Sequence, residues 1–298
     1  MGEGTCFGYE VRSDLPFSYL RGGRGDSLTV SAGTVGPLED EELLQEWCPP
    51  SVPFRASLLG NGRTYRLWVE NTGWMGIDPA NSSIVVPEHA DPLRVEERLW
   101  GMPALLCFLD RGDVPLHAAA VEVDGRAVLV AAPGRFGKTT LLSALAGRGL
   151  RVLTEDLACV RTDAGASWVV PGPAMLRLRR DVADAVLPMG YQEVGRDDDR
   201  VHLAAVSDRG DCAPVPVHAL LFLRENDGPP RLSAADPGAS LPDLWQVSFH
   251  LARDGDRARC FRGLADVAGS VPLFDLWRRR ELDDLPATMD QILELTGG

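Results

Sequence analysis

The chain has 298 residues, 45% hydrophobic and 24% charged, with a formal net charge of −13. A core of that size needs no disulfide or metal staple, and the lack of low-complexity runs excludes a disordered chain. The acidic balance excludes general binding of nucleic acid or of an anionic membrane, because the long-range field repels phosphate.

The start, Met1-Gly2-Glu3-Gly4-Thr5-Cys6, has no basic stretch and no apolar run, so no signal peptide is expected. No apolar stretch of about 18 residues is present to span a bilayer. The six cysteines are scattered, with no C-x-x-C, and read as reduced core thiols of a cytoplasmic protein. The five histidines show no metal-ligand spacing.

Residues 1–90 alternate short strand-like runs, such as Thr64–Val69 and Ser83–Val86, with Gly-Asn-Gly and Asp-Pro turn signals. They read as a β-rich N-terminal domain, a candidate substrate-binding unit, with one acidic helix near Leu38–Trp47. Asp91–Asp110 carries a helical pattern through Leu93, Leu99, Leu105, Leu106 and Leu109. It opens a second domain, 91–298.

A hairpin follows. Leu116–Val123 and Arg126–Ala131 are strand-like, and Asp124-Gly125 joins them. A two-residue Asp-Gly link sets the register at Val123 opposite Arg126. Counting back pairs Val121 with Val128, Ala119 with Val130 and His117 with Ala132.

Next comes Ala132-Pro133-Gly134-Arg135-Phe136-Gly137-Lys138-Thr139-Thr140, then a helix with Leu141, Leu142 and Leu145 on one face and stop signals at Gly147 and Gly149. A short strand, Leu150–Thr154, ends in Glu155-Asp156. A hairpin (Ala158–Arg161 with Trp168–Val170), a Pro-Gly-Pro turn at 171–173 and a helix near Asp181 follow. The stretch 195–216 reads as a charged loop and Val217–Arg224 as a buried strand. Helices near 241–252 and 287–296 close the chain.

Strand, glycine-containing loop, Lys-Thr and helix together describe a phosphate cradle. Gly134, Arg135, Phe136, Gly137, Lys138, Thr139 and Thr140 are the candidate nucleotide-binding residues. Lys138 would reach the β- and γ-phosphates, Thr139 would ligate Mg²⁺, Gly137 would let the backbone come close, and Gly134 is available for a positive-φ turn. The loop departs from G-x-x-x-x-G-K-[ST] at Ala132, and Phe136 is bulky. Every basic residue except Lys138 is an arginine. A compact ammonium on a flexible stem fits where a planar guanidinium would not.

Glu155 and Asp156 end a strand at the ligand-facing edge of an α/β sheet, where an acid holds metal or takes a proton. His117 would lie across the ladder from the loop. The groups Arg177, Arg179, Arg180 and Arg278, Arg279, Arg280 are candidates for a local basic patch, with solvated helix or strand ends as the favoured reading.

Leu116-His117-Ala118-Ala119-Ala120-Val121, the glycine loop, Leu153-Thr154-Glu155-Asp156-Leu157 and Pro171-Gly172-Pro173-Ala174-Met175-Leu176-Arg177-Leu178 resemble the HPr serine kinase/phosphorylase family, and more closely its divergent bacterial relatives. The resemblance is strong over about 115–180. It implies an α/β fold, a P-loop kinase core of the HPr-kinase type with an N-terminal β-rich domain. It implies ATP and Mg²⁺, with His117, Lys138, Glu155 and Asp156 as catalytic residues and Thr139 and Asp156 as metal ligands. Glu155 stands where the family has the first Asp of its pair, which leaves the division between base and metal ligand open. The family's later E-[IV]-R-G signature is met only by Cys260-Phe261-Arg262-Gly263, so the resemblance implies a kinase with a different acceptor. Some such relatives resemble tailoring kinases that phosphorylate a Ser of ribosomally made peptides, including lasso-peptide precursors.

The reading is an ATP-dependent kinase acting on a Ser/Thr hydroxyl of a peptide or small protein, with a homo-oligomer left open and neither nucleic acid nor membrane as partner. A small-molecule kinase on the same scaffold and a non-catalytic nucleotide-binding scaffold are the alternatives.

Overall fold

The computed structural model describes residues 4–48, 55–197, 199–206 and 210–297. Residues 1–3 of the start and 198 and 207–209 of the stretch read as a loop lie outside them.

Strands fill the N-terminal part: β1 (Gly4–Cys6), β2 (Tyr9–Arg12), β3 (Asp26–Ala32), β4 (Glu42–Trp47), β5 (Ala56–Gly60), β6 (Tyr65–Val69), β7 (Gly73–Asp78) and β8 (Ser83–Val86). They form one 8-stranded sheet in the order β1-β2-β3-β8-β7-β6-β5-β4. The segment expected as an acidic helix is therefore strand β4, paired with β5 from Leu43↔Leu59 to Trp47↔Ala56. Its Leu, Glu and Gln favour helix, but pairing beside a long meander and packing of Leu44 and Trp47 onto the core override that preference.

The expected helix over 91–110 is two helices, α1 (Pro92–Leu99) and α2 (Met102–Arg111). Asp91 caps the first by accepting from the Arg94 amide at 3.0 Å. Pro103 in the first turn of α2 cannot continue a helix, so the chain turns a corner at Trp100-Gly101. The inner face of the sheet (Val30, Leu58, Met75, Ile84) packs with Leu99, Phe108 and Leu251 in one cluster.

The rest of the chain adds β9 (Val114–Leu116), β10 (Ala118–Val123), β11 (Arg126–Ala131), α3 (Lys138–Gly147), β12 (Arg151–Thr154), β13 (Ala158–Asp163), β14 (Ala166–Val170), β15 (Met175–Arg179), α4 (Arg180–Val186), β16 (Tyr191–Arg196), β17 (Arg200–Ala205), β18 (Val215–Glu225), β19 (Arg231–Ala234), α5 (Leu241–Val247), α6 (Asp254–Ser270), β20 (Leu273–Arg278) and α7 (Leu285–Leu295). This is a mixed α/β fold. A 9-stranded sheet runs β12-β10-β11-β18-β14-β13-β9, with β20 beside β18 and β19 beside β20. A 3-stranded sheet, β15-β17-β16, stands beside it.

The hairpin register agrees with the sequence from Val123↔Arg126 to Ala119↔Val130. Asp124 (φ 49°) and Gly125 (φ 75°) are both left-handed, as a type I′ turn requires. The ladder stops at Ala118↔Ala131. The expected His117–Ala132 pair does not form, because the chain leaves the strand there and the His117 amide donates to Val247 O at 2.6 Å.

Two further expectations change. The stretch read as a loop at 195–216 contains β17 and the end of β16, with Val201, Leu203 and Ala204 buried. The expected helix near 241–252 ends at Val247, and α6, 17 residues long, is not anticipated by the sequence pattern.

β11, β18 and β20 run parallel in the centre of the sheet. Alternate residues point to opposite faces. Val128 and Val130 meet α3 and α7 through Leu141, Leu145 and Ile292, while Leu129 and Ala131 share a cluster with Leu244, Leu264 and Val267 of α5 and α6. Parallel strands covered on both faces leave one open edge, at their C-terminal ends. Five of the six cysteines are buried, Cys48 is exposed, and all are free thiols. Among the described residues no helix is long and apolar enough to cross a membrane.

Candidate functional site

β11 delivers the chain to that edge at Ala131, and the loop 132–137 turns it into α3. Left-handed φ falls on Arg135 (67°) and Gly137 (82°) and not on Gly134. A Cβ on Gly137 would lie 2.7 Å from Arg278 Nη2, whereas one on Gly134 would meet nothing within 4 Å. α3 has no side-chain cap and no acid in its first turn, so its N-terminal amides and dipole are left for an anion.

Three cations hold this loop from below and from the side. Lys138 is 6% exposed, and its Nζ donates to Ala132 O at 2.8 Å and Pro133 O at 3.5 Å. Burial lowers its pKa against the pull of Asp156 and Glu155. Arg278, at the end of β20, is 4% exposed and donates to Phe136 O at 2.7 Å and Arg279 O at 3.1 Å. Its Nε is buried without a partner. Arg280 donates to Arg135 O at 2.6 Å and lies over the Phe136 ring, 5.3 Å from its centroid.

The acids come from the end of β12. Glu155 is 2% exposed and accepts from Thr139 Oγ1 at 2.6 Å and from Arg177 Nε at 2.9 Å. Asp156 is half-exposed. His117 Nε2 lies 3.3 Å from its Oδ1, and Arg177 Nη2 3.2 Å from its Oδ2. Desolvation works against the Asp156 carboxylate, but the His117 hydrogen bond and the charges of Arg177 and Lys138 outweigh it and hold its pKa well below the usual range. For Arg177, desolvation is likewise outweighed by Glu155 and Asp156, and its pKa is raised. The His117 ring stacks on Phe249, 6.3 Å between centroids and 4° from parallel.

His117, Gly134 to Thr140 and Asp156 thus line one cleft of about 500 Å³. Glu155 stands behind Thr139. His117 reaches Asp156 through its ring, although the strand pairing expected to bring it to the site is absent. The solvated-end reading fails for Arg278, which is buried, and for Arg177, which is half-buried; the exposed Arg179, Arg200 and Arg280 line the cleft with them. The signal in the sequence was the two arginine groups themselves, one of them inside the Pro171–Leu178 stretch. Arg180 does point to solvent. Cys260-Phe261-Arg262-Gly263 lies within α6 and takes no part in this cleft. Among the described residues no group of three His, Cys, Asp or Glu side chains forms a metal site by itself.

No family model matches the chain, and no curated protein matches it. Among solved structures it is similar to the HPr(Ser) kinase/phosphatase from Coxiella burnetii, at 13% identity and a TM-score of 0.34, over 61% of this chain and 95% of that one. What the cleft can do follows from its own side chains.

Proposed function

We propose that this protein is an ATP-dependent phosphotransferase with an HPr-kinase-like P-loop core, and that it phosphorylates a Ser or Thr hydroxyl of a peptide or small protein. One observation carries the reading. Lys138 and Arg278 are buried cations whose hydrogen-bond partners among the described residues are carbonyl oxygens, and Arg278 keeps a buried N–H with no partner. Among the described residues neither is hydrogen-bonded to a carboxylate, and burial lowers the pKa of both against the pull of the nearby acids. A polyphosphate at the N-terminus of α3 would add the negative charge that such buried cations favour.

The departures from the usual loop pattern fit this reading. The Ala132 methyl is 3% exposed and packs in the core with Val130 and Leu141, out of the cradle. Phe136 packs against the same cluster and carries Arg280 on its face.

Thr139 Oγ1 and the carboxylates of Glu155 and Asp156 are a hard, all-oxygen donor set, too small for an all-protein cage. That suits Mg²⁺, which keeps waters and phosphate oxygens among its ligands. Thr139 and Glu155 would hold the ion, which would supply neutralisation of phosphate charge. The Thr139–Glu155 contact favours Glu155 for the metal side and leaves Asp156, which faces the open cleft, for the acceptor.

In the transfer, the acceptor hydroxyl oxygen forms the new bond to the γ-phosphorus. The bond from that phosphorus to the β,γ-bridging oxygen breaks, and its electron pair leaves with ADP. The hydroxyl proton passes to Asp156. A carboxylate held at low pKa is a weak base, but a loose transition state asks mainly for orientation and for charge stabilisation from Lys138, Arg278 and the α3 amides.

The test uses γ-labelled ATP with Mg²⁺ and Ser- or Thr-containing peptides, with Lys138→Ala as control. Label on the peptide hydroxyl that is lost in the folded variant is the expected result. Undiminished transfer by the variant overturns the assignment of Lys138.

A further inference from the structure

A second cavity opens on the other side of Asp156. It has a volume of about 460 Å³ and lies between the N-terminal sheet and the α1–α2 corner. Trp47, Leu67, Trp100, Met102, Met175 and Phe249 are large apolar side chains of its wall, and Glu97 and Arg98 line it as well. It shares His117, Asp156 and Arg177 with the glycine-loop cleft. A third cavity of about 260 Å³ continues from it, sharing Trp47, Met102, Leu105 and Phe249, and reaching Leu44 and Leu58. No Asp, Glu, Lys or Arg lines that third cavity. The three together make one trough, from strand β4 past Asp156 to the N-terminus of α3.

We propose that this trough seats the acceptor as an extended peptide segment with bulky apolar residues beside the phosphorylated Ser or Thr. The inference rests on the phosphotransferase reading and names the substrate class for the same site. Three observations select this occupant. The trough is elongated in linked chambers, which fits a chain more than a compact small molecule. Its far chamber has no Asp, Glu, Lys or Arg in its wall, where Trp47, Phe249, Met102 and Leu58 stand beside the polar Gln45, Ser248 and His250, so apolar residues of a partner fit it better than charged ones. Its outer end is bounded by β4, the edge of the 8-stranded sheet, which among the described residues pairs on one side only, with β5. A free edge can pair with an extended backbone, while pockets for its side chains give specificity. Leu44, Gln45 and Trp47 of that strand face the cavity, so a peptide along β4 is led toward Asp156.

The wall also explains an otherwise unaccounted exposure. Trp47, Met102 and Phe249 are large apolar side chains left part-exposed around one opening. An apolar partner covers them and gains from their burial.

The test measures binding of two short fluorescein-labelled peptides by anisotropy. Each carries one central Ser, flanked in one by Leu and Phe and in the other by Lys and Glu. Mg-ATP binding is measured on the same samples. The wild type is expected to bind the apolar peptide roughly tenfold or more tightly than the charged one. Met102→Glu and Trp47→Ala are each expected to weaken the apolar peptide by a similar factor, raising KM in the labelled transfer assay more than they lower kcat. Circular dichroism establishes that the variants fold, and two independent positions guard against a local collapse at one. Equal affinity for the two peptides, with Mg-ATP binding intact, would overturn the trough alone. N-acetylserine amide binding as tightly as the apolar peptide would overturn it in favour of a small-molecule acceptor. Absence of Mg-ATP binding in the wild type would overturn the phosphotransferase reading, and with it the acceptor role of the trough.

Discussion

His117 Nε2 lies 3.3 Å from one oxygen of Asp156 while Arg177 Nη2 holds the other at 3.2 Å, so a carboxylate that is half-exposed is fixed from both sides. The hydrogen bond and the two cations at Arg177 and Lys138 keep it ionised against desolvation. In the proposed mechanism His117 is a positioning residue, stacked on Phe249 and set by the bond from its amide to Val247 O.

The pH profile of transfer tests this arrangement. With its pKa depressed, Asp156 stays ionised throughout the usual carboxylate range, so its protonation does not limit kcat there. His117→Ala removes the largest of the interactions that lower the pKa, and the acid limb of kcat is expected to move to higher pH. Asp156→Asn should lose on the order of 10²–10⁴ in kcat with little change in Mg-ATP affinity. An acid limb unmoved by His117→Ala would contradict the coupling.

Two glycines of the loop should respond in opposite ways. Gly137 has φ 82° and its missing Cβ would sit 2.7 Å from Arg278 Nη2. Gly137→Ala is expected to cost about 1 kcal/mol or more and to weaken nucleotide binding, because it pushes Arg278 off Phe136 O. Gly134→Ala, with open space around it, should change stability by less than about 0.5 kcal/mol. Denaturant titration of both variants reads the difference.

Glu96 makes stability fall with rising pH. It is 1% exposed and accepts the amide of Tyr19 at 2.9 Å. Desolvation raises its pKa from 4.5 to about 7, against the opposing hydrogen bonds from Ser18, Tyr19 and Trp100. Between those two values the folded state keeps a proton that the unfolded chain has lost, so stability drops by about 1.4 kcal/mol per pH unit. Below the window the contribution is fully present, and above it the loss is complete. Glu96→Gln removes that slope and should gain on the wild type, in relative stability, as pH rises from 4.5 to 7. Parallel slopes for the two proteins in chemical denaturation would contradict it.

Arg21 ties the N-terminal sheet to the acid-bearing strand. It is 3% exposed and donates to Gly172 O at 2.6 Å, Val152 O at 2.7 Å and Leu153 O at 3.1 Å. Arg21→Ala removes these three hydrogen bonds, although Leu153 O keeps the Gly172 amide at 2.9 Å, and should cost about 2–4 kcal/mol. Arg21→Lys should recover only part of it, since an ammonium lacks the planar fork that spans separate acceptors. Thermal unfolding of the two variants distinguishes them.

Much of the site was legible because its signals are local. The Asp124-Gly125 turn dictated the hairpin register, and the Lys138-Thr139 step marked the start of α3 with Leu141, Leu142 and Leu145 all buried. Other elements were not legible. α6 carries Gly255, Gly263 and Gly269, which argue against a helix locally. Close packing needs one of them, since a Cβ on Gly263 would lie 2.7 Å from Val114 Cγ2. β4 has a helix-favouring composition and is a strand because β5 pairs with it.

The amino-acid sequence by itself determined the turn, the glycine loop, the helix that follows it and the acid pair at the end of the next strand. Each depends on backbone preferences or patterning within a few residues. Only the tertiary structure decided which charges surround the loop. Arg278 meets Phe136 across 142 positions of chain and Arg177 meets Glu155 across 22, because β20 runs parallel beside β18 and the turn leading into β15 is tied to β12 by the Gly172 amide on Leu153 O. An arginine at a strand end looks the same in sequence whether it enters solvent or a cleft. The neighbouring strands that bury it, and the carbonyl and carboxylate groups they bring, settle that difference.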